Sequence, residues 1–174
     1  MIQDVIRGLI YFVVLVLIQV LFLNHIHFLR MVTPFLYVYF LLKLPYDISR
    51  NYMLLIAFFT GLVVDAFTNT PGMHAAACTL AAFCREPLIR FWVGKDLPDG
   101  VYPSYRSFGF GNFFKFTLSF VLIHHTALFL IESFSLFDPL FLSLRILGSS
   151  VMTILLILAV EAFNVESQQS EDKR

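Results

Sequence analysis

Two histidines stand side by side at His124-His125 inside an apolar run, and Glu132 follows seven residues after the second. Imidazoles and a carboxylate are groups that relay protons or hold metal ions. At 3.6 residues per turn His125 and Glu132 share a helix face, whereas adjacent histidines point about 100° apart and chelate one ion poorly. These three residues form a candidate ligand or polar cluster. Structural hydrogen bonding is the alternative, and no metal site is expected. A second ionisable group, Asp65, sits near the end of the apolar run 52–67, just before Asn69-Thr70-Pro71-Gly72. A carboxylate within such a run is costly unless it is paired or solvated. It has three readings: it closes the following turn, it pairs with Arg145, or it touches a partner or ligand directly. Arg145 lies five residues into the last apolar run, about 8 Å below its start at 1.5 Å per residue. Glu132 competes with Asp65 for it.

No catalytic constellation accompanies these groups. Gly109-Phe110-Gly111 is too short for a phosphate loop and lacks the Gly-Lys that would follow. The serines lack a nucleophile-elbow context. Cys78 and Cys84, the two cysteines, match neither a CxxC nor a zinc spacing. We expect no enzyme and no cofactor.

The elements that must position these residues are membrane helices. The 174 residues are 59% hydrophobic and 14% charged, against about 45–50% and 25% in a soluble domain. The mean hydropathy is +0.80. A formal charge of +0 argues against a nucleic-acid partner, which needs a basic face. Six apolar segments are predicted, at about 5–23, 28–44, 52–67, 73–93, 113–131 and 140–163, each near the length that spans a bilayer. The first is read as an uncleaved helix, because no small-residue cleavage site follows it. The second carries Arg30 early and Pro34 inside, so whether it spans fully stays open. The fourth is expected to break at Arg85-Glu86-Pro87, with snorkelling charges. Residues 1–164 form one transmembrane domain, and 165–174 a polar, disordered tail.

With the amino terminus inside, Arg7, Lys43, Arg50, Arg85, Arg90, Lys95, Arg106, Lys115, Lys173 and Arg174 fall on the inner side, and Arg30 alone outside. Retention of basic residues on the cytoplasmic side then predicts that both termini are cytoplasmic. Small residues recur four apart at Gly72/Ala76, Ala77/Ala81 and Cys78/Ala82, a pattern for close helix packing within the chain or against a partner helix. In the long inner loop, Tyr102, Tyr105, Phe108 and Phe110 interleave with Arg106. We expect this aromatic-basic stretch to be exposed, as an interfacial belt or a partner contact.

Gly61-x-x-x-Asp65, then Pro71-Gly72 and a run of small residues, on a six-segment layout of this length, resembles the rod shape-determining protein MreD family. The motif covers about 25 residues, 57–82, and the layout the whole chain. The resemblance implies an all-α polytopic fold similar to the substrate-binding subunits of energy-coupling-factor transporters. It also implies a non-enzymatic scaffold in the bacterial inner (plasma) membrane. Such a scaffold binds an MreC-like bitopic protein and, with an MreB-like cytoskeleton and wall-synthesis enzymes, serves cell shape and lateral peptidoglycan synthesis. Gly61, Asp65, Pro71 and Gly72 carry that match. The rival expectation is the binding subunit of a vitamin-type transporter, with a polar cavity near Asp65, His124 and Glu132.

Overall fold

The computed structural model describes residues 2–23, 32–94, 97–133 and 138–171, with side chains described between Gly8 and Asn164. The described chain is all-helical: α1 (Ile2–Leu21), α2 (Val38–Leu42), α3 (Arg50–Thr68), α4 (Met73–Trp92), α5 (Tyr105–Phe108), α6 (Phe110–Glu132) and α7 (Pro139–Glu171). Among the described residues, three helices are long and apolar enough to cross a membrane: α3, α6 and the Pro139–Asn164 part of α7. Their outward faces carry large apolar side chains such as Phe59, Leu130 and Leu155, which are exposed, while Asp65, His124 and Glu161 are buried. That inversion suits a protein whose solvent is lipid. Of the six expected spans, α1 is apolar over Gly8–Leu21, the part whose side chains are described, and α4 carries His74, Arg85, Glu86 and Arg90.

The second segment departs from expectation most. A helix over 28–44 is not what forms: in the described part, only Val38–Leu42 is α-helical, and residues 33–35 are neither helix nor strand. Pro34 is the physical reason, since it disfavours helical backbone at Thr33 and has no N–H of its own to donate. Yet the irregular stretch and α2 together lie in the centre of the bundle. Tyr37, Val38, Tyr39, Leu41 and Leu42 are fully buried, beside Phe113, Phe116 and Phe120 of α6. Arg30 lies outside the described residues.

Irregular backbone at membrane depth survives only where other parts of the protein satisfy it. Here the neighbouring helices supply the partners. Gln19 of α1 donates from Nε2 to the Pro34 carbonyl at 2.9 Å and accepts the Leu36 amide on Oε1 at 2.7 Å. Ser149 and Thr153 of α7 accept the amides of Thr33 (3.1 Å) and Phe35 (2.9 Å). Gly148 allows this approach, because a Cβ there would lie 2.5 Å from Val32 Cγ2.

α4 packs against both α3 and α6, and α6 against α7. The expected break at Arg85-Glu86-Pro87 does not occur, and α4 runs through it. Phe83 and Pro87 both lie on the exposed side. The packing of α4 on two neighbours offsets the cost of Pro87, about 3 kcal/mol in a helix interior for the lost hydrogen bond and the ring clash together.

Replacing Gln19 with Leu keeps volume but strands a buried carbonyl and a buried amide. The expected loss is about 1–3 kcal/mol per stranded group, read as a lower melting temperature in detergent. An unchanged melting temperature would mean that Gln19 does not hold the segment.

Candidate functional site

Three buried places bring polar side chains together. The first is the junction of α3 and α4. A helix start leaves its first amides without intrahelical acceptors. In α4 every one has a partner. Met73 donates to the Thr70 carbonyl at 3.2 Å, and the first bond of the helix proper runs from Ala76 to Gly72 at 3.0 Å. His74 and Ala75 donate to Asp65, to Oδ1 at 2.9 Å and Oδ2 at 3.0 Å. The Gly72 amide (3.1 Å, Oδ2) and the Thr70 hydroxyl (3.0 Å, Oδ1) complete four bonds to one carboxylate. Asp65 thus caps the next helix from the last turn of its own, where an anion also meets the positive end of the α4 dipole.

The surrounding residues make that reach possible. Asn69 ends α3 in the left-handed conformation (φ 56°), a position that tolerates Asn. Thr70-Pro71-Gly72-Met73 is a type II turn, with Pro presetting the first corner and Gly72 (φ 86°, ψ −9°) supplying the second. Gly61, one turn before Asp65, faces the α4 backbone so closely that a Cβ would lie 2.5 Å from the Ala75 nitrogen. The four residues that carried the family resemblance therefore form one joint.

Arg145 is not part of it. Its guanidinium bonds Glu132 at 2.8 Å and lies 4.5 Å from the Phe129 ring centroid. The pairing with Asp65 weighed from depth is replaced by the competing pair. The consequence for Glu132 is that it sits with Arg145 on an exposed surface rather than with the histidines.

The second place is the bundle centre. His124 and His125 are fully buried and do face a polar network, but its hub is Tyr37. The Tyr37 hydroxyl is 2.8 Å from His74 Nδ1 and 2.8 Å from His124 Nε2. A phenol donates one proton, so with neutral rings one histidine accepts from Tyr37 and the other donates to it. Cys78 Sγ lies 3.7 Å from His124 Nε2. His125 diverges toward α7. Its Nδ1 is 2.9 Å from the Val121 carbonyl, so that nitrogen carries the proton. Its Nε2 then accepts the Thr153 hydroxyl at 3.1 Å, leaving the Thr153 oxygen to accept the Phe35 amide. Rings aimed at different partners act as hydrogen-bond struts. Among the described residues, no three His, Cys, Asp or Glu side chains converge to hold a metal ion.

The third place, at the opposite end of α4 from the Asp65 joint, holds two residues that sequence reasoning missed or misplaced. Glu161 of α7 is buried and accepts from Tyr39, from Lys43 Nζ (3.1 Å) and from the Tyr105 amide (3.3 Å). Lys43 Nζ also donates to the Pro103 carbonyl at 2.8 Å, pinning the long loop. Burial, and then the Glu161 carboxylate, raise the Tyr105 phenol above its usual pKa, so it stays a donor to the Leu158 carbonyl at 3.3 Å. Arg85 does not snorkel. It is buried and donates to the carbonyls of Leu42 (3.3 Å), Leu44 and Pro45 (3.3 Å) where α2 ends.

The aromatic-basic loop is only partly exposed: Tyr102 and Phe110 are, but Phe108 is buried and Tyr105 packs on Phe113 at 5.0 Å between ring centroids. Of the small-residue pairs, Ala77/Ala81 and Cys78/Ala82 face the bundle, and Gly72/Ala76 are exposed. Compared with protein-family models, curated proteins and solved structures, the chain matches none.

Asp65→Ala should lower stability by about 3 kcal/mol, since it removes charge-assisted bonds and strands buried amides, with Asp65→Asn intermediate. Arg145→Ala should add to Asp65→Ala within about 0.5 kcal/mol, because the two side chains share no partner. Thermal melts of the two single variants and the double variant check this. A coupling well above that margin would restore the Asp65–Arg145 pair.

Proposed function

We propose that the chain is a non-enzymatic membrane scaffold of the bacterial cell-elongation machinery, an MreD-like protein with six spans. It sits in the inner membrane with both termini cytoplasmic. Its partner is an MreC-like bitopic protein, through which it acts with an MreB-like cytoskeleton and wall-synthesis enzymes in lateral peptidoglycan synthesis. The observation that carries this reading is the Asp65 joint. The residues of the family motif, Gly61, Asp65, Pro71 and Gly72, meet in one place and serve architecture, with both carboxylate oxygens used inside the chain. A scaffold needs such rigidity, because a partner helix docks on a fixed apolar surface. The transporter reading needs Asp65, His124 and Glu132 around one cavity. Here Asp65 bonds the α4 start, His124 bonds Tyr37, and Glu132 bonds Arg145.

Purification of the full chain in mild detergent, followed by mass spectrometry, is expected to recover a bitopic protein with a large extracytoplasmic part. That recovery should fall in the destabilised Asp65→Ala variant. Recovery of an ATPase module or a bound vitamin would overturn the scaffold reading in favour of transport. A periplasm-active reporter is expected to be silent after residue 174 and active within 132–139. Activity at the carboxyl end would contradict the six-span topology.

A further inference from the structure

Beyond the scaffold role, the first turn of α3 and the last turns of α4 flank an open cleft that neither that role nor the polar networks use. It has a volume of about 200 Å³ and is lined by Arg50, Glu86, Pro87 and Arg90. We propose that this cleft binds the phosphate headgroup of an anionic phospholipid, with the lipid's tail lying along α4.

Charge is the first reason. Arg90 is paired with Glu86, whereas Arg50 has no carboxylate partner among the described residues and lies over the Phe83 ring, 4.1 Å from its centroid. The cleft therefore has one cation more than it has anions. The α3 start adds donors. Ser49 makes no side-chain cap, and the first amide to reach a backbone carbonyl there is Met53, on Ser49 at 2.9 Å. Among the described residues none accepts the amides of 50–52, and the positive helix end favours an anion.

Depth and the neighbouring surface separate a lipid from a free ion. Arg90 is seventeen residues along α4 from Met73, about 26 Å at 1.5 Å per residue, which puts it at the membrane face opposite the Asp65 turn. Leu80, Phe83, Pro87 and Arg90 recur at three- and four-residue spacing on one face of α4, all exposed. The stripe runs from apolar residues at bilayer depth to a guanidinium at headgroup depth. Phe83 belongs to both parts, touching the chain path on the stripe and carrying Arg50 on its ring. An inorganic anion would use the arginines and ignore the stripe. A phospholipid uses both, and basic pockets between membrane helices are where anionic headgroups bind.

The test uses the full chain in nanodiscs of phosphatidylcholine containing a small fraction of a photoreactive phosphatidylglycerol, with crosslinks mapped by peptide mass spectrometry. The expected result is labelling of 80–90 that exceeds labelling by photoreactive phosphatidylcholine and resists added inorganic phosphate. Arg50→Gln and Arg90→Gln should each reduce it about fivefold. Glu86→Gln, which frees Arg90 and removes no cation, should raise it; this keeps the test open if an arginine variant fails to fold. Equal labelling by phosphatidylcholine would overturn the proposal. So would displacement by inorganic phosphate, which would mark a small-anion site, or a Glu86→Gln protein labelled no better than wild type.

Discussion

A polypeptide backbone in apolar surroundings must find its hydrogen bonds within the protein, and residues 33–45, of which only Val38–Leu42 is helical, are where this chain meets that demand with side chains. Pro34 keeps the stretch from forming one helix. Every long helix except α3 then commits side chains to it: Gln19 from α1, His74 and Arg85 from α4, His124 from α6, and Ser149 and Thr153 from α7. Buried polar side chains in lipid are expensive, yet here each one discharges a group that would be more expensive unpaired. The central segment thereby acts as the hub on which the bundle closes.

α3 enters through the Asp65 joint. Asp65 fixes the first turn of α4 by bonding the His74 amide, and the His74 ring is one of the two that hold Tyr37. A single carboxylate in α3 is thus linked through α4 to the middle of the hub. At the far end of α4, Arg85 performs the converse task, meeting the carbonyls that end α2. One helix carries both an anion-capped start and a buried cation near its end, and the two set the position of the central segment along it.

Much of this was legible in the sequence. Composition and hydropathy indicate an all-helical membrane chain, and the turn chemistry of Asn69 to Gly72 indicates where α3 gives way to α4. Asp65 stood out because a carboxylate in an apolar run demands a partner, and turn closure was one of the partners weighed. The same rule, applied to every polar residue in an apolar run, would also have flagged Gln19 and Glu161. The long-range pairings were not legible. Depth alone made Asp65 and Arg145 plausible partners, but depth carries no azimuth, and Arg145 faces α6 and Glu132 instead. Hydropathy likewise did not show that 33–35 leaves the helix, because apolar residues buried by protein and apolar residues buried by lipid look alike in sequence. His124 and His125 stand out in the sequence as polar groups in an apolar run, and both are buried in α6. Tyr37, the partner of His124, carries no signal of its own, since tyrosine is unremarkable in a membrane segment.

The central claim is that the stretch around Phe35 is non-helical, yet side chains of α1 and α7 hydrogen-bond its Thr33, Phe35 and Leu36 amides and its Pro34 carbonyl. Amide hydrogen exchange resolved to single residues tests it most directly. The account predicts that the Thr33, Phe35 and Leu36 amides exchange as slowly as those of the neighbouring long helices, and that Thr153→Val releases Phe35 while leaving the amides of α6 protected. Fast exchange at Phe35 and Leu36 in the unaltered protein, or protection at Phe35 that survives Thr153→Val, would contradict it.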